Sequence, residues 1–367
     1  MKNNLQTTIA DVLVAIEPWG NELWFIAGAS LISLLAFLAL VRYLDVQERY
    51  PGRMADTLAR INTDTVFLGL CIFTIFLLRL PGLSRLELAH GDEGGLIAGA
   101  LTLLHDPRFW LSVDNTTIGP VSTFSLTLIH FLGGTINYGT IKLLGIFVWI
   151  LVTIFLFLTF LNFSGSKVAR LAVLPLVACA ATYNVFDNDA FNGEHMPVLL
   201  LAAAIWLFSK METTAPSRDM VYAGLTGIVL GLVPYSKVQA APIAAAFGVL
   251  LVVMSLYSGN RRYLPLIAGG FTPTVLLAIY LFTSGAFEDF RQSYIMNNLT
   301  YANAGFFGET RDITLLSNVG LFPAYLTKLH DTRYFFVTQF SLILAGTLVL
   351  IACMRSLSRR DTAQMVV

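Results

Sequence analysis

Charge is scarce in this chain. Asp, Glu, Lys and Arg make up 13% of its 367 residues, against about 25% in soluble domains, and nine long apolar blocks contain none of them. So little solvating surface excludes an ordinary soluble globule. Lys and Arg balance Asp and Glu at 23 each, which leaves no basic footprint, and no nucleic-acid partner is expected. Cysteine is equally sparse, with Cys71, Cys179 and Cys353 far apart inside apolar blocks. That pattern offers neither a disulfide framework nor a metal-ligand spacing, so the three read as packing residues.

What the chain does have is apolar sequence in blocks, 56% of the total, with a mean hydropathy of +0.70. The blocks run over residues 23–41, 65–78, 143–166, 171–186, 196–209, 221–236, 238–260, 263–287 and 335–354. A helix needs about 20 apolar residues to cross a bilayer, and snorkelling neighbours such as Arg79 and Lys210 extend the shorter blocks. The fold class expected is therefore all-α: a polytopic membrane helix bundle of about nine transmembrane helices, forming one integral domain over residues 1–367. Asp11, Glu17 and Glu22 precede the first block, the reverse of a cleaved leader's positive start, so that block is expected to stay as a helix.

Lys and Arg concentrate in cytoplasmic connections. With the N-terminus outside, every proposed inner connection is basic: Arg42 to Arg60, Lys167 with Arg170, Lys210 with Arg218, Arg261 with Arg262, and Arg355 to Arg360. The C-terminus is then cytoplasmic. Three segments fall on the extracytoplasmic side, 80–142, 187–195 and 288–334. Residues 115–141 carry no Asp, Glu, Lys or Arg, but counting them as a crossing would put the basic clusters outside. They are expected instead to hold a juxtamembrane helix, begun near Pro120 and ended at Gly133-Gly134.

Within "DEGGLIAGALTLL", Ile97, Ala100, Leu101 and Leu104 recur at helical spacing, which predicts one apolar face. Asp92 and Glu93 fall in the first turn of that helix. The helix dipole alone favours acids there. Adjacent helical positions diverge by about 100°, so the two carboxylates are not expected to serve one atom. The second outer segment, "NVFDNDAFNGEH", gathers Asp187, Asp189, Glu194 and His195. Such a group reads either as a solvated loop or as a set converging on a divalent cation, a sugar or an acceptor hydroxyl. Lys237, in "GLVPYSKVQAAP", lies between two apolar blocks with almost no loop around it. It either snorkels or attracts a phosphate at headgroup depth. Gly227 and Gly231 precede it at the spacing of close helix packing.

The order of these features resembles the GT-C glycosyltransferases that use polyprenyl-phosphate sugars, such as protein O-mannosyltransferases and the aminoarabinose transferases of lipid A. The carrying motifs are "DEGGLIAGALTLLHDPRFW", then "GPVSTFSLTLIHFLGG", then "GLVPYSKVQAAPI", within residues 65–250. The chain departs from that pattern in an additional leading helix and in lacking a second proline and an aromatic pair in the middle motif. The resemblance implies transfer of a sugar from a polyprenyl-phosphate donor to a glycolipid, glycan or protein acceptor, with inversion, at the plasma (inner) membrane of a bacterium. It implies Asp92 as catalytic carboxylate with Glu93 assisting, and Lys237 as contact to the donor phosphate. Asp187, Asp189, Glu194 and His195 become substrate-binding candidates. A divalent metal ion, held by Asp92 and Asp189, is the one cofactor it suggests.

Two other classes compete. A lipid or glycolipid flippase or transporter would also be polytopic, but ion-coupled transport places ionisable groups near the midplane, which the nine blocks lack. A noncatalytic membrane subunit of a glycan-assembly complex would use the outer carboxylates only for solvation. The loop beginning "FEDFRQSYIMNNLT" is aromatic and polar enough to stack on a glycan or to be an ordinary ordered loop. Asn115 and Asn298 each begin an Asn-x-Thr sequon.

Overall fold

The computed structural model describes residues 20–44, 63–83, 91–182, 190–213, 216–259 and 261–303. Among the described residues the chain is helical, with isolated β-bridges only at Phe109–Val113 and Ile118–Lys237. The helices are α1 (Gly20–Leu44), α2 (Asp64–Leu83), α3 (Gly91–His105), α4 (Pro120–Phe131), α5 (Tyr138–Thr182), α6 (His195–Thr213), α7 (Pro216–Leu232), α8 (Ala241–Tyr257) and α9 (Tyr263–Ser284). A short helix, α10 (Phe287–Phe290), continues through a π-helical segment, Arg291–Met296, into α11 (Asn297–Asn303). The first eight apolar blocks fall on α1, α2 and α5 to α9, and the ninth lies outside the described residues.

Four helical stretches are long and apolar enough to cross a membrane: Asp64–Leu83, Tyr138–Ala181, Val238–Tyr257 and Tyr263–Ser284. Ser30–Arg42 and His195–Met211 are shorter apolar helices. This is a membrane protein. Val249, Phe271 and Phe282 stand 63%, 63% and 76% exposed on α8 and α9, as lipid-facing side chains do and as a water-facing surface rarely tolerates.

The described helices fall into two compact units. In the first, α2 lies beside the last part of α5. The run Tyr138–Thr182 leaves helical geometry only at Gly165 (φ 76°, ψ 176°), which divides it into two helical segments. Glycine reaches that conformation without a Cβ clash. Phe67 of α2 meets both sides of the break, stacking at 6.1 Å on Phe157 and lying 5.0 Å under the Arg170 guanidinium. Two polar ties fix the register. Asp64 accepts bonds from Ser166 Oγ at 2.5 Å and Arg170 Nε at 2.8 Å, while Arg79 Nε donates to the Ala180 carbonyl at 2.6 Å. The spacings from 64 to 79 and from 166 to 180 match, so α2 and the second segment run parallel for about 22 Å. Arg79 therefore does not snorkel. It is buried, because Ala180 sits in the last turn of α5, where carbonyls lack helical partners and draw a donor inward.

The second unit holds α3, α4, residues 138–148 and everything described from Ala190 onward. Its α7 and α9 touch backbone to backbone. A Cβ added to Gly227 would fall 2.1 Å from the Leu266 oxygen, one on Gly231 2.3 Å from Gly270 O, and one on Gly269 2.2 Å from Gly224 O. Positions on both helices rise together, so α7 and α9 are parallel, with Arg262 bound to the buried Asp219 at their shared start. The GxxxG spacing thus marks a real close approach. Leu230, Val233, Ala244, Leu251 and Leu266 close the core between α7, α8 and α9.

α4 begins with Pro120 behind Gly119 and ends before Gly133 (φ 83°), as expected from sequence. Its 12 residues reach only about 18 Å, too short to cross a bilayer. Its buried face is mostly hydroxylic, Ser122, Thr123 and Thr127 with Leu126, while Leu128 and Phe131 are exposed. On α3 the buried face is Glu93, Leu96, Gly99, Ala100 and Leu103, while Leu101 of the apolar stripe is exposed. The missing side chain of Gly99 admits Asn115 and Val113 of the next loop.

Candidate functional site

Described parts of the three segments expected outside the membrane meet the turn from Val233 to Lys237 at one end of the second unit. The rise of α7 from Asp219 to Leu232 sets this end about 20 Å from the Arg262–Asp219 pair. Lys237 interrupts two 3-10 turns in extended conformation (φ −156°, ψ 123°). Pro234 starts the break, since a proline removes the N–H that α7 would need to continue. Lys237 pairs through its β-bridge with Ile118, and Gly119 N–H donates to Ser236 O at 2.9 Å. Its ammonium forms an ion pair with Glu194.

The loop carrying Glu194 is anchored at both sides. Phe191 N–H donates to Ile141 O at 3.1 Å, and Gly145 keeps α5 bare beneath it, where a Cβ would lie 2.8 Å from Phe191 N. Asn192 Oδ1 accepts the Glu194 N–H at 3.0 Å and lies 2.6 Å from His195 Nδ1. Gly193 passes so close that a Cβ would sit 2.9 Å from Ile118 and 3.2 Å from the Lys237 nitrogen. The ion pair is asymmetric. The Lys237 side chain is 13% exposed and that of Glu194 is 56% exposed, so the cation is fixed and the anion can swing into water.

Residues 106–119 form the next layer. Asp106 accepts a fork from Arg108 at 2.8 and 2.7 Å and a bond from Ser112 at 2.5 Å. The Arg108 and then the Ser112 hydrogen bonds hold its carboxyl well below the usual carboxylate range. The loop then turns through Trp110 (φ 69°) and Thr116 (φ 54°), both in the left-handed region. Trp110 is buried against Phe109, Phe290 and Tyr294, with ring centres 5.0, 4.8 and 5.5 Å away. Phe290 and Tyr294, the aromatics expected to serve a glycan or an ordinary loop, face inward here. Tyr280 of α9 donates to Phe109 O at 2.9 Å. Both sequon amides are engaged: Asn115 donates to Thr123 Oγ1 at 2.9 Å, and Asn298 to Tyr294 O at 3.0 Å.

Of the residues singled out from sequence, Lys237 and Glu194 are brought together, with His195 buried behind them. Asp92 and Glu93 lie in the first turn of α3 in the same unit, Asp92 half-buried and Glu93 fully buried. Their environments differ, as adjacent helical positions should. Asp187 and Asp189 lie outside the described residues. Among the described residues no three His, Cys, Asp or Glu side chains are grouped to hold a metal ion. Sequence reasoning missed Gly119, Gly193, Trp110 and Tyr294. Only the Asn192-Gly193 dipeptide, a turn signal, hinted at any of them. No family model, characterised protein or solved structure matches the chain.

Proposed function

We propose that the protein is an integral membrane glycosyltransferase that takes a sugar from a polyprenyl-phosphate donor. One observation carries this reading: a lysine whose side chain is only 13% exposed, in a helix break that described parts of three segments of predicted outer sequence touch. A cation at that depth suits a lipid phosphate, whose tail remains among apolar helices while its headgroup meets charge. We take nine spans with the N-terminus outside, as the basic connections suggest, and under that topology this end faces the extracytoplasmic side.

The reaction proposed is a single displacement. An acceptor hydroxyl oxygen bonds to the anomeric carbon as the bond from that carbon to the phosphate oxygen breaks, and the electron pair leaves on the lipid phosphate. Lys237 stabilises the negative charge arriving there. Asp92 takes the hydroxyl proton. Glu93, on the buried face of α3, holds the helix start rather than the reacting atoms. The product is inverted at the sugar carbon, and the acceptor is a glycolipid, glycan or protein.

The test is donor dependence of transfer in nanodiscs. Lys237→Ala is expected to raise the donor KM at least tenfold, about 1.4 kcal/mol, while Lys237→Arg retains part of the affinity. An unchanged KM in Lys237→Ala would remove the donor phosphate from this corner.

A further inference from the structure

Three irregularities of the backbone surround the Lys237 turn. Trp110 is a bulky residue with a positive φ, and Thr116 is another; such residues are strained and persist only where neighbours over-determine them. Residues 291–296 form a π-helical segment, and π turns concentrate at functional sites. Tyr294 is the buried residue of that segment, and it sends its hydroxyl 2.6 Å to the carbonyl of Pro234.

The turn from Val233 to Lys237 is tied from several elements: Tyr235 donates to Thr274 Oγ1 of α9 at 2.8 Å, and Lys237 bridges to Ile118 and pairs with Glu194. Val233 O is used internally, accepting from Ser236 and Lys237 N–H at 3.0 and 3.3 Å, and Lys237 O accepts from Ala240 N–H at 3.1 Å. Ser236 O is held from α4, by Gly119 N–H and Ser122 Oγ, both at 2.9 Å. Pro234 O is held from the opposite side of the sequence by Tyr294, 60 residues away. The backbone that carries Lys237 is therefore held between residues 119–122 on one side and the π segment on the other, while its ammonium pairs with Glu194. At Gly119 the clamp is closed, for a Cβ there would lie 2.2 Å from Tyr235 O and 2.7 Å from the Tyr294 hydroxyl.

We propose that Tyr294 is a positioning residue for the Lys237 ammonium: its bond to Pro234 couples the 287–303 segment to the phosphate-binding turn. The strain at Trp110 is what this coupling sustains, because Trp110 packs on Tyr294 and Phe290 and so sets the π segment's height over the turn. The inference rests on the reading of Lys237 as the donor-phosphate contact.

The experiment uses the full chain in nanodiscs with undecaprenyl monophosphate as probe, and compares wild type, Tyr294→Phe, Lys237→Ala and the double variant. Tyr294→Phe removes one oxygen and keeps the ring packing. It is expected to weaken binding roughly fivefold, and to weaken it no further once Lys237 is alanine, as coupled residues do. Equal losses in both backgrounds would overturn positioning in favour of a general packing effect, and no loss in either would also overturn it. An unchanged affinity in Lys237→Ala alone would instead sink the phosphate reading, and the positioning role with it. Independently of any ligand, the 13C-methyl NMR signal of reductively methylated Lys237 should shift in Tyr294→Phe, while that of Lys210 should not. An unmoved Lys237 signal contradicts the proposal.

Discussion

Gly119→Ala isolates the close approach on which the Lys237 corner depends. Gly119 has φ −86° and ψ 177°, extended backbone open to any residue, so alanine introduces no conformational strain and the effect is purely steric. The new methyl would lie 2.2 Å from the Tyr235 oxygen, about 1.2 Å inside ordinary van der Waals contact. Neither neighbour can yield cheaply: one is backbone of the turn, the other is the buried Tyr294 hydroxyl, 2.7 Å from the same methyl. Separating the strands by about 1 Å breaks the Gly119–Ser236 hydrogen bond, worth about 1 kcal/mol, and adds an overpacking cost of about 1–3 kcal/mol. The expected loss is about 2–4 kcal/mol of stability. Denaturant unfolding in mild detergent measures it, with Gly69→Ala as control, since that helical position has nothing within 4 Å and alanine should gain up to about 1 kcal/mol there. Equal stability of Gly119→Ala and wild type would refute the packing described for this corner.

Glu194→Gln removes the carboxylate paired with Lys237, and under the proposed function should lower the donor KM by a few-fold; an increased KM would show that Glu194 binds substrate instead. Arg170→Met should destabilise the first unit by about 1–3 kcal/mol, because it takes the cation from an Asp64 that is 31% exposed and keeps its Ser166 bond, and an unfolding midpoint within error of wild type would contradict it. Asp106 has a carboxyl shifted below its ordinary value, so the stability it lends residues 106–112 is fully present above about pH 4 and is lost as pH falls through the lowered value. Hydrogen exchange at Ser112 should therefore stay slow at pH 5 and quicken in strong acid, and Asp106→Asn should be fast throughout; an acid-insensitive wild type would argue against the fork.

The reach of sequence reasoning varied with the distance of the interaction. α4 was readable from Pro120 and Gly133 because caps are local chemistry. The break in α5 was placed at the right region, yet the connection is a single residue, Gly165, where charge at Lys167 and Arg170 had suggested a longer one. On α3 the spacing gave an apolar face for lipid or for the bundle, but not that Gly99 would receive a loop from 14 to 16 residues on. The Lys237–Glu194 pair spans 43 residues, and the Tyr294–Pro234 bond 60. Each residue could be noticed alone, but nothing in spacing announces that they meet. The left-handed Trp110 had no signal at all, because residue type there argues against the conformation it adopts.

The central claim is transfer itself, and purified protein in nanodiscs decides it when offered a panel of polyprenyl-phosphate sugars with a membrane glycolipid extract. The account predicts that wild type moves label from one donor to a new product and that Asp92→Asn, folded and able to bind donor, does not. Full transfer by Asp92→Asn, or no turnover of any donor by a folded wild type, would contradict it.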